Sequence, residues 1–121
     1  MPNHTMTNDS NAANIELEKK VRRLLLNWGF VPLLRGSQYI VNCTLRLACA
    51  EHLTISSVYD AYDETAFCFY STSARVEKAI RHAIEISWSL AGERTLRNVF
   101  TVQPNNIEFL LFCHTTSTRA D

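Results

Sequence analysis

Residues 70–88 read YSTSARVEKAIRHAIEISW. At about 100° per residue the run from Arg75 onward divides into two halves of a helix. Val76, Ala79, Ile80, Ala83, Ile84, Ile86 and Ser87 fall on one side. Arg75, Glu77, Lys78, Arg81, His82, Glu85 and Trp88 fall on the other. The apolar half can lock the helix to a core, which leaves the polar half free to face something else. Near its start that outer half sets Arg75, Lys78, Arg81 and His82 against one acid, Glu77.

A helix start offers unpaired N–H groups and a partial positive charge, and both suit phosphate. Ser71, Thr72 and Ser73 are capping residues that can also donate to a phosphate oxygen. A short helix and a tight break at Tyr70–Thr72 precede the run. That is the outline of a helix-turn-helix, whose second helix enters the major groove with its N-terminal residues at the base edges. A plainer account uses the same residues. Glu77 lies four before Arg81, and Arg81 four before Glu85, so the charges can pair along a solvated face. Pattern alone leaves both accounts open.

Upstream, IELEKKVRRLLLNWGF gathers Leu17, Val21, Leu24, Leu25 and Trp28 on one helical face, and Gly29 fits its stop. VPLLRG is a linker, and Ser37 is the expected cap of QYIVNCTLRLACAEH, a central helix with Ile40, Val41, Leu45 and Ala48 inside. Thr54 caps a short helix, and Asp60 or Asp63 opens another through Phe69. Downstream, ERTLRNVF makes a short helix, and Pro104–Asn105 introduces NIEFLLFCH. No segment alternates well enough for a sheet. The expected fold is all-α, with about six helices around a central helix-turn-helix. Its domain spans 15–114, between a disordered polar tail (1–14) and a frayed end (115–121).

Twelve Lys and Arg balance twelve Asp and Glu, so any affinity for nucleic acid must come from a local patch. No apolar run reaches the roughly 18 residues of a bilayer helix, and the polar first residues carry no signal-peptide core. A cytoplasmic chain is expected. The four cysteines, Cys43, Cys49, Cys68 and Cys113, lack paired C-x-x-C spacing. They are expected as reduced, core-filling thiols, and neither metal nor cofactor is expected. Cys49 with His52, and Cys113 with His114, are the pairs nearest to a ligand pattern. No Gly-rich phosphate loop and no thiol placed beside a base suggest catalysis, so an enzyme is not expected.

ARVEKAIRHAIEISW closely resembles the recognition helix in the C-terminal DNA-binding domain family of the sporulation master response regulator, stage-zero sporulation protein A. LLLNWGFVPLLRGSQYI is similar to that family's opening helix with its Gly and Pro punctuation. Tyr62, Ala66 and Phe69 fit the first helix of the motif, and Phe100 and PNNIEF fit the closing segment. The likeness covers roughly residues 15–114. It implies a six-helix domain that binds promoter boxes in double-stranded DNA, often as tandem copies. Carried over by position, Arg75, Glu77, Lys78, Arg81 and His82 would lie in the groove, with Ser71, Thr72 and Ser73 beside the backbone. Arg81 would read a guanine and Glu77 a cytosine amine.

The departures from the family point elsewhere. Phe67 and Cys68 stand where the family has a pair of lysines, Lys78 where it usually has Arg, Ala74 for a Ser, and Leu90 for a basic residue. The segment between Phe100 and Pro104 is also shorter. Only about two dozen residues precede LLLNWGFVPLLRGSQYI, so a phosphorylated receiver domain is not expected. The leading account is a sequence-specific transcription regulator associated with the nucleoid, acting as a homodimer or tandem copies. The alternative is an interaction module that pairs with a full-length sporulation regulator through Phe67, Phe69 and Tyr70.

Overall fold

The computed structural model describes residues 4–119, with side chains from residue 12 onward. These residues form α1 (His4–Asn27), α2 (Arg35–Ala48), α3 (Ile55–Cys68), α4 (Ser73–Ser89), a 3-10 turn at Leu96–Asn98 and α5 (Asn106–Thr118). No strand occurs among the described residues. The fold is all-α.

Helix α1 starts at His4, well ahead of the expected Ile15, and α5 runs to Thr118 rather than fraying at Thr115. Residues 1–3 and 120–121 of the expected tails lie outside the described residues. Val21 and Leu25 of α1 and Trp28 just after it are buried, with Leu17 and Leu24 packed at the edge. Gly29 ends the helix at φ 83°, and Phe30 N–H returns to the Leu25 carbonyl at 2.9 Å. A Cβ at Gly29 would lie 2.1 Å from the Arg94 carbonyl oxygen, so the site also needs glycine for a close approach.

The central helix is α2, which packs against α1, α3, α4 and α5. Tyr39, Ile40, Val41, Cys43, Thr44 and Leu47 are buried, and Leu45 is half-buried. Ala48 is exposed, contrary to expectation, because it is the last helical residue, where the chain leaves the core. Ser37 is not the cap either. The helix starts at Arg35 behind an extended Leu34 with no side-chain cap, and Ser37 is buried in the first turn.

Helix α3 is one continuous helix rather than two. Thr54 Oγ1 accepts from Ser57 N–H at 3.2 Å, while Ser57 Oγ accepts from Thr54 N–H at 3.1 Å. That reciprocal capping box satisfies two orphan donors at once. Asp60 and Asp63, the expected starts of a second piece, lie exposed along its outer side. Helix α5 opens with a second capping box, between Asn105 and Glu108.

The terminal IEFLLFCH segment packs inward. Phe109 sits 5.8 Å from Trp28 and 5.2 Å from Phe30, ring centre to ring centre, and Leu110 and Cys113 are fully buried. All four cysteines are free, but only Cys43 and Cys113 are core residues. Burial pushes their thiols up to about 11 and about 12. Cys49 and Cys68 are exposed because each falls at the outer end of its helix, at the cap of α2 and the last residue of α3.

Candidate nucleic-acid interface

The turn between α3 and α4 is built from backbone geometry. Tyr70 takes φ 54°, and Ser71 N–H bonds the Ala66 carbonyl at 2.9 Å. This is a Schellman ending, which satisfies a carbonyl that the helix end leaves free. Thr72 then caps α4, its Oγ1 accepting from Arg75 N–H at 3.2 Å. Ser73 Oγ donates to Asp63 of α3, so one side-chain bond ties the two helices of the motif together.

Helices α2, α3 and α5 and the 3-10 turn pack against α4. Val76, Ile80, Ala83, Ile84 and Ser87 are buried, with Ala79 and Ile86 half-buried, so the inner half is the one periodicity indicated. Ser87 Oγ donates to the carbonyl of Trp28, in the turn that follows α1. Asn106 Nδ2 at the start of α5 donates to the Glu77 carbonyl at 2.8 Å. From α2, Gly36 lies so close that a Cβ there would stand 2.1 Å from the Ala79 carbonyl oxygen. The helix is therefore fixed in height and rotation while its outer half stays open.

On that outer half Arg75, Lys78, Arg81, His82 and Glu85 are exposed, and Glu77 is half-buried. Arg81 Nη1 lies 3.4 Å from Glu77 Oε1, and His82 Nδ1 lies 4.0 Å from Glu85 Oε1, an ion pair only when the imidazole is protonated. Exposed pairs one turn apart contribute about 0.3–0.5 kcal/mol, too little to withhold Arg81 from a stronger partner. The side chains of Arg75 and Lys78 have no hydrogen bond or ion pair among the described residues. So the structure brings seven of the eight sequence-derived residues, Thr72 to His82, onto one helix and its cap. Ser71 lies half-buried in the turn before them.

The hydroxyls differ from one another in what they can offer. Thr72 accepts the cap bond, and its own O–H remains able to donate to an anion. Ser73 spends its O–H on Asp63, which sets a carboxylate beside the start of α4. Periodicity within one helix carries no sign of this contact, since its partners sit ten residues apart on two helices. Arg97 was missed for the same reason. It comes from the 3-10 turn, lies 4.7 Å over the Trp88 ring and donates from Nε to the Trp88 carbonyl at 2.6 Å. A cation therefore stands at the far end of α4 although Leu90 there is apolar.

The aromatic residues at the end of α3 differ in exposure. Phe67 is 85% exposed and Tyr70 is 98% exposed, whereas Phe69 packs edge-on against Tyr39 at 5.1 Å. Cys68 Sγ accepts from Arg46 Nη2 at 2.8 Å, and Arg46 also approaches Glu64 at 3.8 Å. Between Glu77 and Arg81 of α4, Tyr59 and Tyr62 of α3, and Asn105 and Asn106 lies an open cleft of about 420 Å³.

Among the described residues no three His, Cys, Asp or Glu side chains converge as metal ligands would, and α2 ends before Cys49 and His52. No helix among them is long and apolar enough to cross a membrane. Residues 21–115 match the family described as sporulation initiation factor Spo0A C terminal. That family is one of DNA-binding regulatory domains, not of enzymes. The match takes in most of the chain, including all of α2, α3 and α4, and the chain therefore belongs to the Spo0A C-terminal family of DNA-binding effector domains.

Proposed function

We propose that this chain is a sequence-specific transcription regulator of sporulation type, which reads promoter boxes by laying α4 in the major groove. One observation carries the reading. A helix buried along one half presents three exposed cations and a histidine along the other, directly after a helix-turn-helix turn. Arg81 reads guanine through O6 and N7, Glu77 accepts from a cytosine amine, and Lys78 acts as a point charge. Arg75 and His82 complete the groove face. Thr72 and the first N–H groups of α4 meet the phosphate backbone, with Ser71 and Ser73 beside it. Such a regulator works on the nucleoid, in the cytoplasm. With a formal charge of zero it gains affinity by binding as a homodimer or as adjacent copies.

The test is fluorescence anisotropy of the purified chain against a duplex carrying a sporulation-type box and a scrambled duplex, at two salt concentrations. The box is expected to bind more tightly, and Arg81→Ala is expected to lose about 1–3 kcal/mol of that preference with its helical content unchanged. Equal, salt-sensitive binding to both duplexes would reject groove reading.

A second reading has its own support. Phe67 and Tyr70 stand exposed at the end of α3, beside the acids Asp63 and Glu64, where a DNA-facing surface would carry cations. That surface suits a module that pairs with a full-length sporulation regulator instead of a promoter. In that case Phe67→Lys breaks the protein contact, whereas Arg81→Ala leaves it intact.

A further inference from the structure

Between α1, the following loop and the start of α2 lies a pocket of about 140 Å³, with no residue of α4 in its lining. Its walls are Leu25, Leu26, Phe30, Pro32 and Val41, and Ser37 lines it as well. Leu25, Phe30 and Val41 belong to the core, while Leu26 is 49% exposed and stands at the rim. An apolar cavity of roughly 150 Å³ is large enough for benzene. The volume therefore sets the size of an occupant, and the lining sets its polarity.

Ser37 adds the specific element. It is 1% exposed, and its hydroxyl has no hydrogen-bond partner among the described residues. Buried polar groups in folded proteins are nearly always paired, so an orphaned hydroxyl on a residue that lines an apolar pocket points to a partner from outside the chain. A single rotatable bond lets that hydroxyl turn toward a ligand. Arg22 also lines the pocket, but its guanidinium is already held by Glu18 at 2.8 and 2.9 Å. An anion would have to break that pair, whereas a neutral ligand would not.

We infer that this pocket is a binding site for a small neutral molecule, an aromatic or aliphatic body of about benzene size carrying one hydroxyl that pairs with Ser37. The site is independent of the DNA-reading surface. It does adjoin the point where α2 meets α4, because Gly36, the residue before Ser37, is the one that touches the Ala79 backbone.

The test uses phenol and benzene, which differ only in the hydroxyl, titrated into the full chain labelled for backbone amide resonance spectroscopy. Phenol is expected to give saturable shifts at residues 25, 26, 30, 37 and 41. Benzene is expected to shift the same residues about two- to tenfold more weakly, the range one hydrogen bond supplies. Ser37→Ala is expected to fold normally and bind the two equally. Leu26→Trp, made at the exposed rim, is expected to close the pocket to both. Equal affinities in the native chain, an undiminished phenol preference in Ser37→Ala, or shifts that never saturate would each overturn the assignment.

Discussion

Tyr70 holds a backbone conformation that elsewhere among the described residues is left to glycine. At the end of α1 the matching position is Gly29, and both helices close with the same six-residue return bond. A non-glycine residue there costs about 1–2 kcal/mol, and a ring that is 98% exposed recovers little by packing. Tyr70→Gly is therefore expected to stabilise the domain by about 1 kcal/mol, after the greater freedom of glycine in the unfolded chain offsets part of the gain. A higher urea midpoint at unchanged slope checks it. A lower midpoint would mean that the tyrosine ring contributes more than its exposure suggests. His114 is a second residue with a cost attached. Its Nδ1 is buried without a partner, and burial lowers its pKa below the ordinary 6.5. Near that pH the unfolded chain takes up a proton that the folded chain resists, so stability falls as pH drops below about 6.5. His114→Gln should lose less stability than the native chain between pH 7.5 and 5.5, and equal losses in urea titrations would contradict this.

Helices α3 and α4 divide their charge unevenly. From Ile55 to Cys68, α3 carries Asp60, Asp63 and Glu64 and no Lys or Arg, while α4 carries Arg75, Lys78 and Arg81 against Glu77 and Glu85. DNA binding by α4 must therefore work against the acids of its neighbour, and few phosphates are neutralised. Each added phosphate contact steepens the dependence of log affinity on log salt by about 0.9. Phe67→Lys combined with Cys68→Lys is expected to tighten box binding and steepen that slope by about 1.8. Anisotropy across a salt series measures it. An unchanged slope would mean that the end of α3 does not face the backbone and would favour the protein-interaction reading.

At the scale of the whole molecule, the position of α4 depends on residues that never face its outer side. Gly36 is the sharpest case, because any Cβ there collides with backbone rather than with a movable side chain. Gly36→Ala is expected to cost about 1–3 kcal/mol of stability, as overpacking does, despite the better helix propensity of alanine. It should also weaken box binding by displacing α4, with every outer-half side chain intact. Denaturation and anisotropy on the same sample read both effects. A stable variant with full affinity would show that α2 does not set the height of α4.

The sequence by itself determined which half of α4 is buried, the cap at Thr54, the run of hydroxyls that supplies the cap of α4, and the all-α character of the described residues. These are local properties: the 3.6-residue period and the hydrogen-bonding reach of a side chain three residues from its partner. The same locality made the likeness of ARVEKAIRHAIEISW legible, since recognition side chains sit on one element. Tertiary structure alone decided the rest. Nothing near Asp63 in the chain foretells that it would take the Ser73 hydroxyl, or that Arg97 would stack on Trp88. The α3 helix ran through Asp60 and Asp63 because solvent accepts an acid on an outer face without ending the helix. Cys49 and Cys68 were exposed, and Cys43 and Cys113 buried, although all four are the same residue type. Composition says that a thiol suits a core. Only the meeting of helices far apart in sequence says which thiols reach one.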